Sequence, residues 1–138
     1  MLHTRTFSRV LASLTVLVLT AGGATAQQPR ETVIDGLNVA TFATGLDHPW
    51  SLAFMPDGNM LVTERPGRLR IVDKAGRLSM PVAGLPPLFA RGQGGLLDVA
   101  LDRDFASNRT IYFCFADPVD GGGRTSLARA RLSGARLG

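Results

Sequence analysis

Residues 51–78 read SLAFMPDGNMLVTERPGRLRIVDKAGRL, and residues 98–137 read DVALDRDFASNRTIYFCFADPVDGGGRTSLARARLSGARL. Each stretch starts with small and apolar residues, breaks at an Asp-containing turn and continues into a β-rich strand. Each then turns at glycine and ends in a strand where arginines alternate with apolar residues. Ser51 aligns with Asp98, Leu52 with Val99, Ala53 with Ala100 and Phe54 with Leu101, a register of 47 residues. A period of about 40 to 50 residues carrying about four strands marks the blade of a β-propeller. One blade cannot bury both of its faces, so blades stack around a central channel with the smallest strand innermost. LAF and VAL suit that innermost position. The expected fold class is all-β, and the expected architecture is a β-propeller.

Helical periodicity is nearly absent elsewhere, and short apolar runs alternate with Gly, Pro, Asn and Asp. The pattern predicts strands at 37–43, 51–55, 60–64, 68–73, 96–101, 110–116 and 125–132. Pro56-Asp57-Gly58-Asn59 and Pro66-Gly67 are read as tight turns. Asp120-Gly121-Gly122-Gly123 is expected to open a longer loop. About two blades fit into residues 27–138, whereas propellers hold roughly 4 to 8. The expectation is therefore an N-terminal portion of a longer propeller, ending at SGARLG without a closing strand, with oligomerisation of a two-blade unit as the alternative. Two blades alone would leave apolar faces and open strand edges exposed.

Before residue 27 the chain has a different character. Arg5 and Arg9 precede the apolar run VLASLTVLVLTAGGA (10–24), and Ala24-Thr25-Ala26 supplies a small-x-small cleavage pattern. This is the layout of a secretory signal peptide cleaved after Ala26. A membrane anchor is the alternative, but a spanning helix needs about 20 apolar residues. The product is expected in the periplasm or outside the cell, with no membrane span after cleavage. Loss of Arg5 and Arg9 halves the formal charge of +4. The arginines at 65, 68, 70, 77, 124, 129 and 131 form no basic block, which argues against nucleic acid as a partner. Cys114 is the single cysteine; it has no disulfide partner and, within TIYFCFA, is expected to be a buried, inert thiol.

Little in the chain resembles a known catalytic constellation. His48 is the only histidine after residue 26, and no Cys or His accompanies it at metal-ligand spacing. Asp98, Asp102 and Asp104 approach such a spacing, but a solvated turn or backbone-capping role balanced by Arg103 and Arg109 accounts for them. Glu64 and Arg65 are read as strand-edge contacts between blades. Trp50 either lines the channel mouth or packs between blades. The most suggestive stretch is ARGQGGLLDVALDRDF (90–105), which places glycines and one amide, Gln93, before a strand. Glycine there permits positive φ or a close approach of backbone to another surface. Gln93 either satisfies nearby backbone groups or faces something bound.

GLDHPWSLAFMPDGNMLVTERPGRLRIVDKAGRL (45–78) followed by GQGGLLDVALDRDFASNRTIYF (92–113) resembles the N-terminal blades of soluble PQQ-dependent aldose sugar dehydrogenases. These belong to the glucose/sorbosone dehydrogenase family and are related to soluble quinoprotein glucose dehydrogenase. The resemblance covers about residues 33 to 134. It implies a six-bladed propeller in the complete protein, with pyrroloquinoline quinone (PQQ) over the central channel and a calcium ion beside it. Gln93 matches the family's glutamine that faces quinone and sugar, and its amide can bond a hydroxyl or a carbonyl. Gly94, with Gly92 and Gly95, would let a planar cofactor approach the backbone. The family's general-base histidine, its quinone-binding basic residues and its calcium-holding carbonyls belong to later blades. His48 matches the HPW motif and is read as structural.

For a complete protein the resemblance implies oxidation of an aldose at its anomeric carbon to a lactone. PQQ accepts the hydride and calcium polarises the quinone, and electrons pass on to a periplasmic or respiratory acceptor. This chain alone is expected to be inactive. Two rival readings share the architecture, since fold alone does not dictate function. One is a propeller lactonase, which would not need the GQGGLL mouth. The other is a non-catalytic propeller that binds carbohydrate or protein.

Overall fold

Alternation of apolar and polar residues with period two builds the fold, because successive side chains on a strand point to opposite faces. The computed structural model describes residues 32–34 and 36–138; the expected leader over 1–26 lies outside the described residues. A small antiparallel hairpin comes first, β1 (Thr32–Ile34) paired with β2 (Leu37–Val39). The strand expected over 37–43 thus ends at Val39. Beyond it the chain leaves the ladder and lays the Phe42 carbonyl against Gly76, where any side chain would collide with it.

The first blade is an antiparallel sheet of β3 (Pro49–Phe54), β4 (Met60–Glu64) and β5 (Arg68–Val72). Its turns are those expected. The Gly58 N–H bonds Met55 O at 2.9 Å, the Asp57 carboxylate takes the Asn59 N–H, and the Gly67 N–H bonds Glu64 O at 2.9 Å. Residues 78–83 run along the outer edge of β5, held by Ser79 N–H to Ile71 O and Val82 N–H to Leu69 O.

The second blade orders β6 (Leu96–Leu101), β7 (Thr110–Val119), β8 (Gly122–Ser133) and β9 (Arg136–Leu137) in one antiparallel sheet. A single helical turn, α1 (Phe105–Asn108), precedes β7. Three expectations change here. The segment around Asp120 is a two-residue hairpin turn closed by the Val119–Gly122 pair, because Asp-Gly suits the twist of such a hairpin. Gly122 and Gly123 belong to the ladder. The segment after residue 133 adds a fourth strand to this blade, since β9 pairs with β8 through Leu132–Leu137.

The blades meet through one face each. Ala53, Met55, Leu61, Leu69 and Ile71 of the first pack against Leu96, Val99, Ile111, Phe113, Phe115 and Leu132 of the second. At the outer rim, Ala83 N–H bonds Ala135 O and Leu137 N–H bonds Ala83 O. At the inner rim, β3 and β6 are the edge strands of their sheets and lie side by side. Both carry a β-bulge at the same point of the repeat, between Pro49 and Ser51 and between Leu96 and Val99.

Trp50, Leu52 and Phe54 point away from the second blade. With Phe42, Met60 and Val62 they line an open apolar cavity of about 860 Å³. Trp50 is 49% exposed, so it does not pack between the two blades. Cys114 is half-buried on the face of β7 opposite Phe113 and Phe115, not in the core as expected.

Candidate active site

Three loops converge at the end of the blades where β3 and β6 begin. They are residues 45–48 leading into β3, the 65–67 turn between β4 and β5, and residues 91–95 leading into β6. Arg65 joins them: its N–H donates to His48 O at 3.0 Å, and its carbonyl accepts the Leu96 N–H at 3.0 Å. Its guanidinium Nη1 donates to Gly92 O at 2.6 Å.

Residues 91–94 form a tight turn closed by Gly94 N–H to Arg91 O at 2.9 Å, with Gly92 at φ 57°. Gln93 occupies the tip. It is exposed, and its amide makes no hydrogen bond among the described residues. The capping role weighed from sequence therefore has no counterpart in the geometry. The glycines have separate reasons. A side chain at Gly95 would collide with Arg65 O, and one at Gly94 would lie 2.6 Å from Phe89 O. At Gly92 the space is open to 4 Å. Close approach of protein backbone accounts for the missing side chains at Gly94 and Gly95, whereas the Cβ position at Gly92 is open.

Glu64 departs most from expectation. Its carboxylate is buried inside the first blade and does not reach across to the second. It accepts Arg68 Nε at 2.6 Å, Arg68 Nη2 at 3.2 Å and the Asp47 N–H at 2.6 Å, with Arg70 Nη1 at 3.5 Å. Burial alone would raise its pKa. The Arg68 hydrogen bond, the Asp47 N–H and the two guanidinium charges outweigh burial and hold it below the ordinary glutamate value. The signal was present in the sequence, because the Pro66-Gly67 hairpin sets Glu64 opposite Arg68 with Arg70 diagonal to it. Arg68 and Arg70 therefore serve this carboxylate.

Asp47, half-buried, and His48, exposed, stand at the same rim. His48 Nδ1 donates to Asp47 Oδ1 at 2.5 Å, a bond that, with help from Arg68, lowers the Asp47 pKa. His48 sits at φ 48°, and its carbonyl anchors Arg65. Asp98 accepts the Ser51 hydroxyl and its own neighbour's N–H from Val99. Asp102 accepts the Asp104 N–H, Asn108 Nδ2 and the Tyr112 hydroxyl, and these bonds lower its pKa. Both act as caps and struts. Arg109 does not pair with them; its guanidinium lies 4.4 Å over the Phe105 ring. Among the described residues no three His, Cys, Asp or Glu side chains converge as a metal site.

The family model for glucose/sorbosone dehydrogenases matches residues 46–137. The chain belongs to this family. It is 46% identical over 99 residues to the aldose sugar dehydrogenase YliI of Escherichia coli, covering 70% of this chain and 27% of that protein. It superimposes on a crystal structure of a glucose dehydrogenase with TM-score 0.67 and 50% identity, covering 70% of this chain and 29% of that one. The PQQ-bound form of aldose sugar dehydrogenase from Streptomyces coelicolor matches with TM-score 0.61 and 35% identity, over 71% and 30% of the two chains. The described blades are part of a β-propeller of this family. The chain spans about a quarter of the length of the curated relatives it matches, 24% and 27%. Among the described residues no helix is long and apolar enough to cross a membrane.

Proposed function

We propose that the chain forms the first two blades of an exported, PQQ-dependent aldose sugar dehydrogenase that oxidises the anomeric carbon to a lactone. The observation that carries this reading is Gln93. It is a polar amide with no hydrogen-bond partner among the described residues, held out at the rim where the loops leading into both inner strands converge, in a chain of the glucose/sorbosone dehydrogenase family.

The rim suits the edge of a flat, polar group. The Gln93 amide offers both a donor and an acceptor, and the space beside Gly92 is open. When bound, PQQ supplies the hydride acceptor. In this reading Gln93 orients a sugar hydroxyl or a quinone carbonyl, and the Arg65-centred knot of loops keeps the rim rigid. Calcium, held in the resemblance by carbonyls of later blades, would polarise the quinone. Reduced cofactor would be reoxidised by a periplasmic or respiratory acceptor.

The test is a full-length gene product carrying this sequence, reconstituted with PQQ and assayed with aldoses by dye reduction and lactone detection. Turnover with stoichiometric lactone is expected; absence of turnover across a panel of aldoses would remove the reading. The 138-residue chain alone is expected to give none, since orientation and charge stabilisation need a complete site.

A further inference from the structure

We propose that Arg65 is the positioning residue that fixes the direction of Gln93 by gripping the central peptide of its turn; this rests on the reading of Gln93 as a site residue. In the 91–94 turn the central peptide joins Gly92 to Gln93. Rotation of that peptide is what interconverts turn types, and it reorients the residue that follows. The flip changes ψ at Gly92 and φ at Gln93, and at φ 57° glycine accepts ψ values that a side chain would forbid. The carbonyl of this peptide is the Gly92 oxygen that Arg65 Nη1 holds at 2.6 Å. A guanidinium donor makes a strong bond to a carbonyl, and its planar fork resists rotation.

Arg65 also holds the segment after Gln93. Its own carbonyl takes the Leu96 N–H, and Gly95 lies so close to that carbonyl that a side chain would collide with it. Gln93 is thus gripped before and after by a single residue. Arg65 in turn is anchored by its N–H to His48 O and follows the buried Glu64. The backbone bonds survive replacement of the side chain, so only the grip on the flipping peptide is removed by substitution.

The experiment uses the full-length protein and the variants Arg65→Met, Arg65→Lys and Gln93→Ala. In cofactor-free protein, Arg65→Met should speed hydrogen exchange at the Gly94 amide, whose bond to Arg91 O closes the turn, by about tenfold, as expected for a loosened local element. With PQQ bound, it should lower kcat/KM for aldoses by about tenfold in the Gln93 background and by less than about twofold in the Gln93→Ala background. Arg65→Lys, which keeps the charge and loses the fork, should fall between Arg65→Met and the parent in both measurements. Unchanged exchange at the Gly94 amide overturns the grip itself. Equal losses of kcat/KM in both backgrounds overturn the link to Gln93. Faster exchange together with an inert Gln93→Ala shows instead that the reading of Gln93 has failed, and the proposal falls with it.

Discussion

The Ser51 hydroxyl donates to Oδ1 of Asp98 at 2.5 Å, and these two residues hold the same position in consecutive repeats, 47 residues apart. Equivalent points of two innermost strands are thus tied directly at the inner rim. The β4 side chain Thr63 reinforces the tie by bonding Leu97 O at 2.6 Å and accepting the Ser51 N–H at 3.0 Å. Ser51→Ala should cost about 0.5–1 kcal/mol, since water competes for exposed partners. Asp98→Ala should cost more, because it also strands the Val99 N–H. In denaturant titrations the double variant should fall short of the sum by about 0.5 kcal/mol; full additivity would mean the bond does not form in solution.

The blades themselves were legible because period two tells which residues share a face and Gly or Pro tells where strands turn. Strands 60–64 and 96–101 emerge with the expected bounds for that reason. What escaped depends on neighbours the local pattern does not contain. Alternation set Trp50 on a face but not on which side the second blade would lie, and it set Cys114 on β7 without telling core from rear. The two-residue β9 is too short to show periodicity and exists because Ala83 and Leu132 offer it partners. At the candidate site, the glycines around Gln93 announced a close approach. Only coordinates show that Gly95 makes room for Arg65 O and that Arg65 reaches back to Gly92.

Two glycines of one motif should therefore behave differently. Gly92→Ala meets no atom within 4 Å and has only its φ of 57° to accommodate, so it should cost about 1–2 kcal/mol. Gly95→Ala, at φ 147°, drives a methyl group into the Arg65 backbone, which cannot yield without breaking the Leu96 N–H bond. A loss of about 3–5 kcal/mol, or failure to fold, is expected. Equal midpoints in urea for the two variants would contradict this close approach.

Glu64 should make stability depend on acid. Its pKa in the folded state is lowered from 4.5, so the native protein binds fewer protons there than the unfolded chain. The contribution is fully present above the unfolded value and is lost as pH falls through the folded one. Melting temperature should thus drop as pH falls from the ordinary glutamate range downward, and Glu64→Gln should flatten that part of the profile. At neutral pH the variant should lose about 1–3 kcal/mol from impaired bonds to Arg68 and Asp47. The cost stays below that of a fully buried pair because Arg68 is 38% exposed and solvent screens it. A parallel pH profile for parent and variant would remove Glu64 from this role.

Export predicts a defined N-terminus. Expressed in a bacterial host, the product should lose residues 1–26 and begin at Gln27, as judged by N-terminal sequencing of the periplasmic fraction. An intact Met1 in that fraction would contradict the cleavage site read from Ala24-Thr25-Ala26.

Gln93→Ala separates a site residue from a structural one in a single preparation. The side chain is exposed and makes no hydrogen bond among the described residues, so its removal leaves no stranded partner there and no cavity. Melting temperature should stay within about 2 °C of the parent, the range of a surface substitution. Kinetics should respond instead. An ordinary amide bond to substrate contributes about 0.5–1.5 kcal/mol net, and one that strengthens as charge develops contributes up to about 2.7–4 kcal/mol. At about 1.4 kcal/mol per decade, kcat/KM for aldoses should therefore fall by about tenfold or more. A fall confined to KM would mean that Gln93 binds the ground state and the transition state alike, whereas a fall in kcat would place its bond at the reacting centre. If kcat/KM were unchanged and the protein clearly destabilised, Gln93 would be a strut of the 91–94 turn, and the rim would have to find its substrate contact elsewhere.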